Sequence, residues 1–169
     1  MDASELKAVQ APLKEVYKAD AASALITLRA RGSIDDSKIA CKVETGRALA
    51  VAGLHPATGG TGLELCSGDM LLEALVACAG VTLKAVSTAL EIPLRSATVS
   101  AEGDLDFRGT LGVARDAPVG FAGIRLRFEV ESDAEQEKLD QLLKLTERYC
   151  VVYQTISNGP KVDVMLARV

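Results

Sequence analysis

Apolar residues recur along this chain with two periods, and the alternation between them sets out the elements. Leu6, Val9, Leu13, Val16 and Tyr17 stand at helical spacing over residues 4–18, with Ser4 placed to cap the start. Pro12 lies inside that span and is expected to kink or split the helix. Residues 21–30 and 38–45 read as strands. In the second, Ile39, Cys41 and Val43 take alternate positions and would face inward. A third strand over Arg47–Ala52 would complete a hairpin turning near Thr45-Gly46, and His55–Leu63 is a glycine-rich loop.

The dominant element is a helix over residues 69–91. Leu71, Leu72, Leu75, Cys78, Ala79, Thr82, Leu83, Val86 and Leu90 form a broad stripe, and Ala74, Val76, Ala77, Val81 and Ala85 leave little polar surface elsewhere. A helix apolar on so much of its circumference is enclosed by other structure. Ser67 and Asp69 suit its start and Pro93 its end. Two half-buried strands follow: Val99, Ala101, Gly103, Leu105 and Phe107 alternate in one, and Ile124, Leu126, Phe128 and Val130 alternate with Arg125, Arg127 and Glu129 in the other. Leu139, Leu142, Leu143, Leu145 and Tyr149 restore helical spacing over 133–149. Cys150 ends that helix or begins the next turn, and Val162, Val164 and Leu166 outline a last strand. Strands, a buried helix, strands, a helix and a strand make an α+β arrangement on an antiparallel sheet. Residues 1–35 read as an N-terminal extension and 36–169 as the main domain.

Composition narrows the function classes. Of 169 residues 49% are apolar, 25% are charged and only 4% are aromatic, with no tryptophan, so the core is aliphatic. The net charge is −4, and the basic residues are scattered. A phosphate-tracking face and a base-stacking platform are both absent from this pattern, which argues against nucleic acid as a partner. The start, Met-Asp-Ala-Ser-Glu-Leu-Lys, does not read as a secretory signal. The apolar run Ala74–Leu83, bounded by Glu73 and Lys84, is too short to span a bilayer. A cytoplasmic protein that does not enter membranes is the expectation.

Four cysteines remain as candidate chemistry: Cys41, Cys66, Cys78 and Cys150. No two are at CxxC spacing and His55 is the only histidine, so no zinc site is expected. Cysteine also packs as a small hydrophobe, and Cys78, between Leu75 and Thr82 on one helix face, suits that role as well as a reactive one. Cys41 reads as a core strand residue, Cys66 as a bystander before the helix, His55 as a loop residue and Glu73 as lying on the helix's wet edge. Gly59-Gly60-Thr61-Gly62 lacks the Gly-Lys-Ser/Thr of a phosphate loop and reads as a flap.

The segment Ser67–Leu83, with an acid, a leucine-rich stretch and a cysteine among small residues, resembles the central-helix motif of the OsmC/Ohr family (osmotically inducible protein C and organic hydroperoxide resistance proteins). Val99–Asp106 followed by Arg108-Gly109, and later Glu147–Ile156, fit the same family in the same order. The resemblance runs from about Ile39 to the C-terminus. It implies an intertwined homodimer with antiparallel sheets around buried central helices, and a thiol-dependent peroxidase that needs no cofactor. In that family the helix cysteine attacks an organic hydroperoxide, the second cysteine resolves the product, and an external dithiol, of dihydrolipoyl type in some members, reduces the disulfide. Carried over, Cys78 is peroxidatic and Cys150 resolving. Arg47 is the candidate for the family's strand arginine, and Asp69 stands where the family usually has Glu. The family usually has proline after the second cysteine; here Val151 follows, which frees one backbone N–H. A protein of the same fold that only binds a small apolar ligand, or senses oxidants through Cys78, is the alternative.

Thiol acidity alone does not make a peroxidase. Lowering a thiol pKa by roughly three units raises the thiolate fraction at pH 7 about thirtyfold. Nucleophilicity falls by about twentyfold over the same range. The useful place for Arg47 is therefore at the peroxide, where a guanidinium stabilises charge on the departing alkoxide, held by a pair with Asp69.

Overall fold

The computed structural model describes residues 3–34, 41–43, 52–63 and 65–168. Helix α1 (Ala3–Ala19) opens the chain, followed by strands β1 (Leu25–Ile34) and β2 (Cys41–Val43). Two short strands, β3 (Ala52–Gly53) and β4 (Leu65–Cys66), precede the long helix α2 (Ser67–Ala89). Strand β5 (Ser96–Asp106), a single turn α3 (Phe107–Thr110), strand β6 (Phe121–Glu131) and helices α4 (Gln136–Tyr149) and α5 (Val151–Ser157) complete it.

The main sheet is antiparallel, in the order β2-β1-β5-β6. Strand β5 turns small residues inward: Ala97, Val99 and Ala101 are all buried. Short side chains there let α2 lie close to the sheet, and α4 and α5 cover other parts of the helix. Leu72, Leu75, Val76, Ala79 and Leu83 of α2 fill the space between, each at most 2% exposed. Ile124, Leu126, Phe128 and Val130 of β6 join the rim of this core. The expected α+β fold, with an antiparallel sheet on a buried helix, is the one observed. Helix α2 is long and apolar enough to cross a membrane by length and composition, but its inward residues form this domain's own core.

Several local expectations change. Pro12 does not split the first helix: α1 runs through it. Pro12 and Ala8, whose carbonyl loses its partner, are both exposed, so water can take over the missing bond. The strand expected at 21–30 begins later, at Leu25. Asp20 accepts from the Ala22 N–H at 3.0 Å and winds Ala21–Ala24 into a 3-10 turn first. Ser67 is the first helical residue of α2 and not its cap; Cys66 takes the cap position, with no side-chain bond. The expected strand Arg47–Ala52 lies outside the described residues except for Ala52, which pairs in parallel with Leu65 of β4. Residues 159–168 carry no regular secondary structure and no strand pairing among the described residues, so the last strand expected at Val162, Val164 and Leu166 is not formed there. Val162, Val164, Met165 and Leu166 are 76–98% exposed.

Candidate functional site

Cys150 occupies a joint between two helices. Its N–H closes α4 on the Thr146 carbonyl at 2.9 Å, and its carbonyl accepts from Gln154 N–H at 2.9 Å to open α5. Its own backbone is extended (φ −72°, ψ 106°). Its sulfur turns back to cap α5, accepting from the Tyr153 N–H at 3.5 Å. Packing of α5 against α2 then sets this joint beside the middle of the long helix.

There the two sulfurs meet. The Cys78 and Cys150 side chains, 72 residues apart in sequence (150 − 78), pack in one core cluster, and each perturbs the acidity of the other. Cys150 is 1% exposed and Cys78 is partly buried; both are free thiols. Burial raises the pKa of each, as loss of water disfavours the anion. At Cys78 this is outweighed by the N–H groups of Val152 and Val151 and by the Cys150 thiol, and the net shift is downward. At Cys150 burial and the neighbouring Cys78 charge win, and the thiol is pushed up to about 11. The shared proton therefore rests on Cys150, and Cys78 is the better anion of the pair. The Thr82 hydroxyl also touches this sulfur, but its single proton goes to the Cys78 carbonyl at 2.7 Å. We count it as a neighbour and not as a donor.

Asp69 is elsewhere. Nine residues (78 − 69) of α-helix advance about 14 Å and turn about 900°, which leaves the two side chains on opposite faces of α2. Asp69 faces His55 instead. Burial pushes the Asp69 carboxyl up and the nearby imidazole opposes this; burial pushes His55 down and Asp69 opposes that. Sequence reasoning set His55 aside, since a lone histidine before proline carries no signal of its partner. In the fold its ring stacks on Phe107 (4.9 Å between centroids, 18° between planes). Its Nδ1 accepts from the Ala57 N–H at 3.0 Å, so the neutral ring carries its proton on Nε2. Helix α1 clamps the same turn, with Tyr17 Oη donating to the Ala57 carbonyl at 2.6 Å and Gln10 Nε2 to the Thr58 carbonyl at 3.1 Å. Cys66 and His55 both line a cavity of about 410 Å³ at this end of α2. Glu73 is partly buried and its carboxyl is raised, by burial first and by Asp69 second.

Arg47 lies outside the described residues, as does the side chain of Cys41. Of the four residues singled out for chemistry, the fold thus joins Cys78 and Cys150 and sets Asp69 apart from them. A larger cavity, about 680 Å³, approaches the sulfurs through Leu75, one turn before Cys78, and Tyr153, whose N–H holds Cys150. Leu126, Phe128, Leu143 and Ile156 give it an apolar wall, with Arg125 and Arg127 at its edge. No cluster of three or more metal-ligating side chains occurs among the described residues.

Comparison with known proteins identifies the family and the fold. Residues 60–165 match the family described as OsmC-like protein. An OsmC-like hydroperoxide resistance protein from Jannaschia sp. CCS1 superposes with a TM-score of 0.62 at 15% identity, covering 86% of this chain and 95% of its own. An OsmC-like protein from Mycoplasma pneumoniae gives a TM-score of 0.55 at 13% identity, with coverage of 80% and 86%. No protein of curated function matches the sequence.

Proposed function

The chain belongs to the OsmC-like protein family, and on that footing we propose that it is a thiol-dependent peroxidase that reduces organic hydroperoxides through Cys78 and Cys150. The observation that carries this reading is the convergence of two free thiols, distant in sequence, in one core cluster. A hydroperoxide resistance function in a structural neighbour is consistent with it.

The chemistry balances as follows. The Cys78 thiolate attacks the outer oxygen of ROOH. The O–O bond breaks, the alkoxide takes a proton and leaves as ROH, and Cys78 becomes a sulfenic acid. The Cys150 sulfur then displaces the sulfenic hydroxyl. An S–S bond forms, and the Cys150 proton departs with the hydroxyl as water. A thiol pushed up to about 11 is a poor free nucleophile at neutral pH, so contact with Cys78 serves the second step by proximity. An external dithiol reduces the disulfide and is itself oxidised to a disulfide. Arg47 is the proposed donor to the leaving oxygen. Asp69, on the far face of α2, is the proposed partner of that arginine and does not act on the sulfur. The apolar wall near Leu75 and Tyr153 favours an organic R group, at about 25 cal/mol per Å² buried.

Supporting a homodimer are Val162, Val164, Met165 and Leu166, an apolar run left exposed among the described residues. A reducing cytoplasm suits the free thiols. A second reading, ligand binding or oxidant sensing without turnover, is favoured by the fact that neither sulfur lines the larger cavity. Steady-state consumption of cumene hydroperoxide with dihydrolipoamide separates the two. Wild type should turn over, Cys78→Ser should not, and Cys150→Ser should stop after one equivalent. Consumption by wild type no faster than by Cys78→Ser removes the enzyme reading.

A further inference from the structure

Away from the thiol pair, a set of polar contacts converges on the turn from His55 to Gly60. The His55 carbonyl accepts from the Thr58 N–H at 2.8 Å and from the Gly60 N–H at 3.1 Å. The ring then returns to the same turn, with Nδ1 accepting from the Ala57 N–H at 3.0 Å. Helix α1 is anchored on the two carbonyls that follow, Tyr17 Oη on Ala57 at 2.6 Å and Gln10 Nε2 on Thr58 at 3.1 Å. It packs so closely that a Cβ at Gly59 (φ +93°) would lie 2.5 Å from Val9 Cγ1. Both α1 and residues 55–59 precede the segment matched to the family.

We propose that His55 is a proton-sensitive latch: its neutral ring holds the turn in the form on which α1 is anchored, and its imidazolium releases both. The chemistry is that of one nitrogen. Neutral Nδ1 offers a lone pair to the Ala57 N–H, whereas in the imidazolium both nitrogens carry protons and the same contact sets two N–H groups against each other. A turn that shifts at Ala57 carries with it the carbonyls that Tyr17 and Gln10 hold. The groups facing the ring decide where the change falls. Phe107 of α3 stacks on it without charge, and its neighbours Asp106 and Arg108 pair with each other. From α1 come Gln10 and Tyr17, the latter titrating only above its ordinary range. Asp69 of α2 is the charged group that acts on the ring, and Glu73, one turn along, interacts with Asp69. Asp69 favours the imidazolium; burial opposes it and prevails. A ring pKa lower in the folded state means a latch intact above about pH 6.5 and lost as pH falls through the folded value. The latch stands independently of the peroxidase reading.

Amide hydrogen exchange at Ala57, Thr58, Gly59 and Gly60, followed by NMR from pH 8 to 4 and corrected for intrinsic rates, tests this, with the His55 ring shifts giving its protonation in the same samples. In wild type, protection should fall about fivefold as the ring charges, the size of an N-cap contribution, and the Gln10 side-chain amide signals should move in step. His55→Ala should show the lowered protection at every pH. His55→Asn, whose side-chain oxygen can accept from the Ala57 N–H but takes up no proton, should keep the high protection throughout. Asp69→Asn removes the charge that favours the imidazolium, so ring charging and loss of protection should move to lower pH together; this variant serves if His55→Asn folds poorly. A ring that stays neutral down to pH 4, a charged ring with unchanged protection, an equal fall in His55→Asn, or loss of protection that parts from ring charging in Asp69→Asn overturns the proposal.

Discussion

Replacing Cys150 by alanine removes two things at once, a resolving sulfur and a donor to Cys78, and labelling kinetics read the second alone. In the structure the acidity of Cys78 is a balance. Burial opposes the thiolate, while the Val152 N–H, the Cys150 S–H and the Val151 N–H favour it and prevail. Hydrogen bonds to charged groups are worth about 1.5–3 kcal/mol. An S–H is a weak donor, so about 1.4 kcal/mol is a fair value, a tenfold change in the acid constant. Below the midpoint the thiolate population at Cys78 then falls about tenfold, while each thiolate gains about threefold in nucleophilicity, for a slope of about 0.4–0.5. Labelling of Cys78 in Cys150→Ala should be about threefold slower than wild type at low pH and about threefold faster above both midpoints. The two profiles should cross. Cys150→Ser, which keeps an O–H donor, should stay near wild type although it can form no disulfide. Measuring peptide-resolved iodoacetamide labelling from pH 5 to 11 checks this. Profiles that never cross, or a serine variant shifted as far as the alanine one, refute the assignment of the shared proton to Cys150.

Four further outcomes follow from packing and charge. Leu75→Ala, at a site 2% exposed in the centre of the core, should lower unfolding free energy by about 2–5 kcal/mol in urea titrations. Gly103→Ala would set a methyl carbon 2.4 Å from the Phe121 ring; we expect a loss of about 1–3 kcal/mol by the same assay, since the ring must move. Asp106, 4% exposed, accepts from the Arg108 N–H and from its guanidinium, which holds its carboxyl below the usual range. A pKa lower in the folded state means a contribution present above about pH 4 and lost as pH falls through the folded value. Asp106→Ala should cost about 1 kcal/mol from the lost cap at pH 7, and the gap to wild type should narrow in denaturant titrations below pH 4. His55→Ala removes the charge that opposes burial at Asp69, so the Asp69 carboxyl titration followed by NMR should move to higher pH.

The sequence was legible where one physical rule governed. Strict alternation of Ile124, Leu126, Phe128 and Val130 with charged residues produced β6 nearly as observed, because one face meets the core and the other water. The broad apolar stripe of α2 foretold its buried face, although Leu71 and Val81 on another side stay 40% and 37% exposed. Cys150 stood at a helix boundary by spacing and turned out to be the hinge residue of α4 and α5. The rest depended on contacts between distant segments. Strand β1 lies between β2 and β5, with Arg29 opposite Glu102, a placement that no local pattern encodes. The meeting of His55 with Asp69 and Phe107 arises the same way. The position of Asp69, half a turn away from Cys78, follows from the nine-residue spacing alone.

Everything in the proposed cycle turns on the two sulfurs joining after oxidation. The reduced protein should be mixed with one equivalent of cumene hydroperoxide, quenched with an alkylating agent, digested and analysed by mass spectrometry. The account predicts one dominant product, a disulfide linking the peptides that carry Cys78 and Cys150, lost on addition of a dithiol. Cys78 carried to its sulfinic acid while Cys150 remains alkylated, or no change at either thiol, would contradict it.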